Sequence, residues 1–587
     1  MAGTTQNELS KMLQLPHWLR QYQRPWLSGD LTAGLIVTVM LIPQSLAYAM
    51  LAGLPPQIGL YASILPLLAY AVFGSSMTLA VGPVAVASLM TASALTPLAV
   101  PGSESYLMLA VLMALMSGLM LFVAGLLRLG FLAYFLSHPV ISGFISGSAI
   151  LIAIGQLKYL LGVSLPSGSI IATLKGLAHQ ISAINTTTGV IGIAALLFLF
   201  FARSALAPLL KSAGLPARVA ELMTKLAPMA VVIASTAIVA STGLDQSAQV
   251  AIVGPVPSGL PNIGLPQISW QQTQALWLPA LLISLVGFVE SVSVAQSLAL
   301  KRGQRISPDR ELLGIGAANI ASAFSGGYPV TGGFARSVVN YAAGAQTPAA
   351  GVISAVLMAI VISAFTGWFY YLPVSVLAAT IIVAVLGLID WHTLREAWRY
   401  DKADAVSLLL TLAGVILMGV EEGILLGVAL SLAVLVWRSS HPHMAIVGRV
   451  PGTEHFRNIA RHQVETLPGL LALRVDESLY FANAPVIEEK IESLIQSQTD
   501  TRTVLLVLSA VNQLDSTALA MLTDLQKDLE ARHITLQFAE IKGPVLDRLR
   551  STPLGRTMRH QIFLSTHEAF VAHTLPTPTA KKNGSPV

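Results

Sequence analysis

"GGYPVTGGFARSVVN", residues Gly326–Asn340, puts a proline, four glycines and an arginine into a chain that is otherwise almost continuously apolar. Proline and glycine break helices, and a charge in hydrocarbon is costly. Irregular backbone at that depth survives only against protein or a wet cavity. The stretch therefore reads as an extended lead-in that becomes helical near mid-membrane, with something bound at the break. "AVGPVAVASLM", Ala80–Met90, repeats the device around Gly82 and Pro83.

The background that makes these breaks legible is membrane-like. Of 587 residues, 54% are hydrophobic and 11% charged, against about 25% charged in soluble domains. The first 440 residues carry 33 charges and the last 147 carry 30. A bilayer body followed by a water-exposed domain is the expectation: 1–28 a cytoplasmic N-terminus, 29–440 the membrane domain, 441–575 a cytoplasmic domain and 576–587 a disordered tail. Lys11, Arg20 and Arg24 precede the first apolar run without a signal-peptide cleavage pattern. Without cysteine, disulfides and thiolate metal sites are excluded. The basic balance is explained by membrane topology, so nucleic acid is not an expected partner.

Apolar runs long enough to enter the bilayer recur as two sets of seven. The first set covers about 31–50, 57–74, 79–99, 106–127, 139–162, 187–207 and 224–242. The second covers about 275–299, 311–325, 329–343, 349–371, 374–389, 404–420 and 423–437. With the N-terminus inside, the cytoplasmic loops receive Arg128, Arg203, Lys211, Arg218, Lys225, Lys301, Arg302, Arg305, Arg310, Arg395, Arg399, Lys402 and Arg438. The outer loops receive Lys158 and Lys175. That asymmetry is the positive-inside rule, and it puts both termini in the cytoplasm.

Interrupted spans at the third position of each set point to an inverted-repeat transporter with its site between them. Half-helices that start near the midplane aim unpaired N–H groups and positive dipole ends at one spot, which favours an anion. Pro83 and Pro329 suit a first helical turn. Arg336, about one turn into the second half-helix, adds a permanent charge, and Gly332 and Gly333 let backbone approach a ligand. Glu290 is the acid that lies deep in an apolar span, which makes it a proton carrier or the ion-pair partner of Arg336. Gln44 can donate to an oxyanion or serve as helix glue, and Tyr48 shares its face one turn on. Neither HExxH nor a Walker GxxxxGK[ST] occurs, so a zinc hydrolase and an ATP-driven pump are excluded; no enzyme activity and no cofactor are expected.

Several long motifs occur together: "DLTAGLIVTVMLIPQSLAYAMLAGLPPQIGLYAS" (30–63), "AVGPVAVASLM", "VGPVPSGLP" (253–261) and "SAFSGGYPVTGGFARSVVN" (322–340). In that order they resemble the SulP family of sulfate permeases and anion exchangers. The resemblance implies an α-helical polytopic membrane protein of 14 spans in a 7+7 inverted repeat, split into core and gate subdomains and forming a homodimer. It places the anion between the third and tenth spans, at Gln44, Tyr48, Val84, Glu290, Phe334, Ala335 and Arg336. The family usually has a small polar residue where Ala335 stands, so only the backbone N–H carries over there. Sodium-coupled bicarbonate members tend to have Asp and a hydroxyl residue where Glu290 and Val294 stand, which favours proton coupling here.

After about residue 440, "LLALRV", "SLYF", "TVLLVLS" and "ITLQFAEI" read as strands. "APVIEEKIESLIQSQ", "DSTALAMLTDLQKDLEARH" and "GPVLDRLRS" read as helices of an α/β domain. "VNQLDSTALAML" (511–522) resembles the loop and helix of a STAS domain, in which Thr517 matches a phosphorylated hydroxyl residue and Asp515 a helix cap. The expected function is proton-coupled sulfate uptake by alternating access in the cell's inner (plasma) membrane, with the anion, protons and membrane lipid as partners. Sodium-coupled bicarbonate or C4-dicarboxylate transport, anion exchange, and a non-transporting receptor signalling through the C-terminal domain are the alternatives.

Overall fold

Long apolar segments satisfy their backbone in hydrocarbon by folding as helices. The computed structural model describes residues 17–134, 137–164, 170–264 and 269–574. The tail at 576–587 and residues 1–16 lie outside them. The first seven spans are α1 (Arg24–Leu51), α2 (Pro56–Phe73), α3 (Ala85–Leu95), α4 (Glu104–Leu126), α5 (His138–Leu161), α6 (Thr186–Ser212) and α7 (Ala217–Thr242). The second seven are α8 (Trp270–Leu300), α9 (Pro308–Phe324), α10 (Phe334–Ala342), α11 (Ala349–Ala364), α12 (Val374–Leu386), α13 (Lys402–Leu417) and α14 (Val420–Ser440).

The two halves pack by one rule. α4 lies on α9 as α11 lies on α2, α1 on α11 as α8 on α4, and α5 on α13 as α12 on α6. Each pair maps onto its counterpart when seven is added to one index and subtracted from the other. The spans therefore sort into a core of α1–α4 with α8–α11 and a gate of α5–α7 with α12–α14. In the gate, α14 meets α13 and α5 through Gly423 and Gly427, whose added Cβ atoms would sit 2.4 Å from Val415 and 2.7 Å from Val140. Small residues replace hydrophobic driving force between helices in lipid.

α3 and α10 are half-length, 11 and 9 residues, and each follows a two-residue strand. β1 (Val81–Gly82) pairs antiparallel with β2 (Thr331–Gly332), Val81 opposite Gly332 and Gly82 opposite Thr331. Pro83 and Pro329 sit in these extended lead-ins and not in the first helical turn, since α3 begins at Ala85 and α10 at Phe334.

Glu290 is half-buried, and two further acids of the membrane domain are buried outright. Glu311, near the start of α9, accepts from the hydroxyl of Tyr70 at 2.7 Å and from Ser75 and Ser76. Asp30 in α1 accepts from Tyr22, Gln346 and Thr347. Both are fully buried. Each carboxylate fastens the end of one helix to the loop beyond another, a use of charge that hydrogen bonds from several donors make tolerable.

The polypeptide divides into two units, 1–431 and 432–587. The second unit is a six-stranded sheet with helices. Strands β3 (Met444–Arg449), β4 (Phe456–Asn458), β5 (Leu470–Val475), β6 (Thr503–Val507), β7 (Thr535–Ala539) and β8 (Ile562–Phe563) stand in the order β4-β3-β5-β6-β7-β8. β5 to β8 run parallel and β3 antiparallel to both neighbours. α15 (Ala484–Ser497), α16 (Ser516–Ala531) and α17 (Gly543–Arg550) are where the amphipathic patterns put them. "SLYF" is not a strand: it is a turn held by an isolated bridge, Leu479 to Leu514, because Asn483 ties up its backbone at Ser478 and Tyr480.

Candidate functional site

The site is built where the two lead-ins meet. Their backbone groups need partners, and polar side chains from neighbouring spans supply them. Asn319 of α9 clamps Val330, donating to its carbonyl at 2.8 Å and accepting from its N–H at 2.9 Å. Ser291 of α8 accepts from Gly332 N–H at 2.8 Å, and Ser337 of α10 accepts from Ala80 N–H at 2.9 Å. Asn340 reaches back to the carbonyl of Thr78, and Ser88 and Tyr328 share a hydroxyl contact at 3.1 Å. Strand pairing and these clamps fix α3 and α10 to the core as one piece. Val84 and Gly333 are the cap residues, so both helices open their first turns at this junction.

A small cavity of about 50 Å³ lies there, lined by Gln44, Tyr48, Val84, Glu290, Gly333, Phe334, Ala335 and Arg336, with Ala384, Val385 and Leu388 of the gate opposite. All seven residues expected around an anion thus face one space. Arg336 is the third residue of α10, in its first turn, and is 2% exposed. Both its terminal guanidinium nitrogens lack a hydrogen-bond partner among the described residues. A buried, unpaired cation is expensive, and the wall leaves it so.

One expectation needs correction and another gains a further reason. Among the described residues no ion pair joins Glu290 to Arg336, so the structural-pair reading fails. The glycines also have a second reason beside ligand approach. A Cβ at Gly82 or Gly333 would stand 2.8 Å from an Arg336 nitrogen, and one at Gly332 would stand 2.7 Å from Leu79. They make room for the guanidinium and for core packing.

Glu290 occupies a second position of interest. It lines the cavity and also a larger space of about 450 Å³ with His138, Ser142, Ser293, Ser297 and Asp390. Phe334 and Leu388 border both. This vestibule adjoins the cavity through those shared residues. Sequence reasoning missed the clamps Asn319, Ser291 and Ser337 and the gate wall; only Asn319, an amide amid "GAANIASAF", carried a visible signal.

In the C-terminal unit Asp515 caps α16, accepting from Ala518 N–H at 2.8 Å, and also takes the N–H of Phe481. Thr517 is exposed at the second position of that helix.

Crossed half-helices, an inverted repeat and a gate facing a buried cation define a membrane carrier. The sulfate permease family model matches residues 27–411, and the STAS domain model matches 461–569. A chloroplast sulfate transporter of Arabidopsis thaliana is 35% identical over 94% of this chain and 81% of its own. A probable sulfate transporter of Mycobacterium tuberculosis is 35% identical over 91% and 93%. Among solved structures, the murine solute carrier 26 member A9 anion transporter, in an inward-facing state, superposes with a TM-score of 0.86 at 22% identity, covering 95% of this chain and 94% of that one. The transmembrane domain of a cyanobacterial bicarbonate transporter gives 0.58 at 24%, covering 70% and 98%. The chain belongs to the sulfate permease family, a family of anion transporters and not of enzymes.

Proposed function

We propose that the protein carries sulfate, or an oxyanion of like charge, together with protons across the inner (plasma) membrane by alternating access. The observation that carries this is Arg336: a guanidinium buried with both terminal nitrogens unpaired, at the first turn of a half-helix, facing a cavity. An oxyanion supplies what those donors lack, and a bidentate fork suits it. The first-turn N–H groups of α3 and α10, that of Ala335 among them, and the amide of Gln44 complete the cradle, with Tyr48, Val84 and Phe334 as its walls. The relatives' sulfate names support the choice of anion.

Glu290 is the proton carrier in this reading. Like charge disfavours ionisation, so an anion in the cavity favours the protonated carboxyl beside it. Proton and anion then assist each other by the same factor. Its place on both cavity and vestibule lets it exchange protons with water on the open side. The core, locked by the β1–β2 bridge, carries the anion past the gate. The positive-inside bias orients both termini and the vestibule's Asp390 side toward the cytoplasm. The homodimer implied by resemblance completes the assembly, and the Asp515–Thr517 corner serves as a contact surface.

Uptake of labelled sulfate into proteoliposomes, with and without an inward proton gradient, tests this. Accumulation should follow the gradient, need no sodium, and fall in Arg336→Ala. Sodium dependence, or an Arg336→Ala protein that transports normally, would overturn it.

A further inference from the structure

Between α12 and α13 the chain forms a ten-residue helix, Trp391–Tyr400, none of whose residues is buried. Positions at spacings of three and four share a helix face. Here that stripe is Trp391, Leu394, Arg395, Trp398 and Arg399, and with Leu409 of α13 it lines a groove of about 460 Å³. Trp391 is 68% exposed and Trp398 55%. Among the described residues neither Arg395 nor Arg399 has a hydrogen bond or ion pair. The helix's one carboxylate, Glu396, sits off the stripe and is taken by His392 at 3.3 Å.

We propose that this groove binds one acidic phospholipid. The phosphate sits between Arg395 and Arg399, and the glycerol and upper acyl chain lie against Trp391, Trp398, Leu394 and Leu409. Three observations favour a lipid over other occupants. Tryptophan and arginine on one short helix face match the headgroup level of a bilayer, where aromatic rings and guanidinium groups both find suitable surroundings. The groove joins that helix to a span, so an occupant has hydrocarbon at one end and water at the other. The stripe carries two cations and no acid, which selects an anionic headgroup over a zwitterionic one. The location also matters to the carrier. Asp390, the cap residue that accepts from the N–H groups of His392 and Thr393, lines the vestibule and bonds through its own N–H to Ser146 of α5. A lipid held here anchors the lip of that vestibule.

The test uses the purified full-length protein and counts bound lipid by native mass spectrometry against a titration of phosphatidylglycerol, with phosphatidylcholine as the control. Wild type should retain phosphatidylglycerol preferentially. Arg395→Gln/Arg399→Gln should bind it roughly 30-fold more weakly and the single variants about fivefold each, at about one surface cation's attraction per residue lost. Phosphatidylcholine retention and thermal unfolding in neutral lipid should stay unchanged. If the double variant does not fold, the single variants carry the test. Equal phosphatidylglycerol binding in the single variants and wild type would overturn the proposal. So would displacement of the lipid by millimolar inorganic phosphate, which would make this a site for free anions. Cross-linking from position 398 to a second polypeptide in place of lipid would overturn it as well. Because the readout is bound lipid, it stands or falls independently of which anion is carried.

Discussion

Gly333→Ala separates the site from the fold that holds it. At Gly333 φ is −82° and ψ 126°, an extended conformation open to any residue, so the new methyl brings no backbone strain. Its Cβ would stand 2.8 Å from Nε and 2.9 Å from Nη2 of Arg336. Carbon and nitrogen prefer separations near 3.5 Å, so the guanidinium has to retreat by roughly 0.6 Å. A hydrogen bond made at about 2.9 Å is then stretched to about 3.5 Å, where little of it survives. Charge-assisted bonds contribute ~1.5–3 kcal/mol. Losing about half, with the charge still present, weakens anion binding by ~0.8–1.5 kcal/mol, or roughly four- to twelvefold. Arg336→Ala loses fork and charge together and should weaken it more. The anion-free protein should be no less stable in either variant, because replacing glycine restricts the unfolded chain and deleting Arg336 removes a buried, unpaired cation. Thermal unfolding of the purified protein with and without sulfate reads both quantities. At 100 times the wild-type Kd, sulfate should stabilise wild type by about 2.7 kcal/mol and a tenfold-weakened Gly333→Ala by about 1.4 kcal/mol. Equal sulfate-induced shifts in wild type, Gly333→Ala and Arg336→Ala would refute the placement of the anion at Arg336.

Glu290→Gln mimics the protonated carboxyl, so sulfate binding and exchange should persist while accumulation driven by a pH gradient disappears; full pH-driven accumulation would exclude this carboxyl. Asn319→Ala leaves the N–H and carbonyl of Val330 without their clamp and should cost about 1–3 kcal/mol per orphaned group, read as a lower melting temperature with or without anion. In the C-terminal unit burial pushes the Asp476 carboxyl up, but hydrogen bonds from Arg474 and His443 outweigh it and leave it below the ordinary value. That stability is complete above the ordinary carboxylate range and is lost as pH falls through it, below about 4. Asp476→Asn should therefore flatten the acid limb of the unfolding curve, and an unchanged limb would assign the acid sensitivity elsewhere.

What the sequence revealed was whatever looks costly in hydrocarbon. Proline and glycine at 82–83 and 329–333, Arg336, Glu290 and Gln44 all stand out against an apolar background. The gate wall of Ala384, Val385 and Leu388 does not, since an apolar pocket face and an apolar lipid face are written alike. Ser291 and Ser337 escaped because a serine in a membrane helix usually bonds its own preceding turn, as both also do here. Glu311 follows Ser307 and Pro308 at a helix start, where an acid needs no further explanation, and only the fold reveals Tyr70, Ser75 and Ser76 around it. The Trp391–Tyr400 helix reads as a basic loop when its arginines are counted only for orientation. β3 and β4 were hidden because they flank the linker, where short edge strands leave weak periodicity.

The bridge between the two halves also has a timetable. The N–H of Ala80 is satisfied by Ser337, 257 residues further along. At roughly 5–20 residues per second, that separation corresponds to about 13–50 s of synthesis. During this interval the first lead-in is already made and has neither partner strand nor clamp. Its backbone groups cannot rest against lipid, so water or the insertion machinery has to keep them company until Thr331 and Ser337 emerge. The anion cradle thus cannot close until its second half is made, although its first half is made near the start.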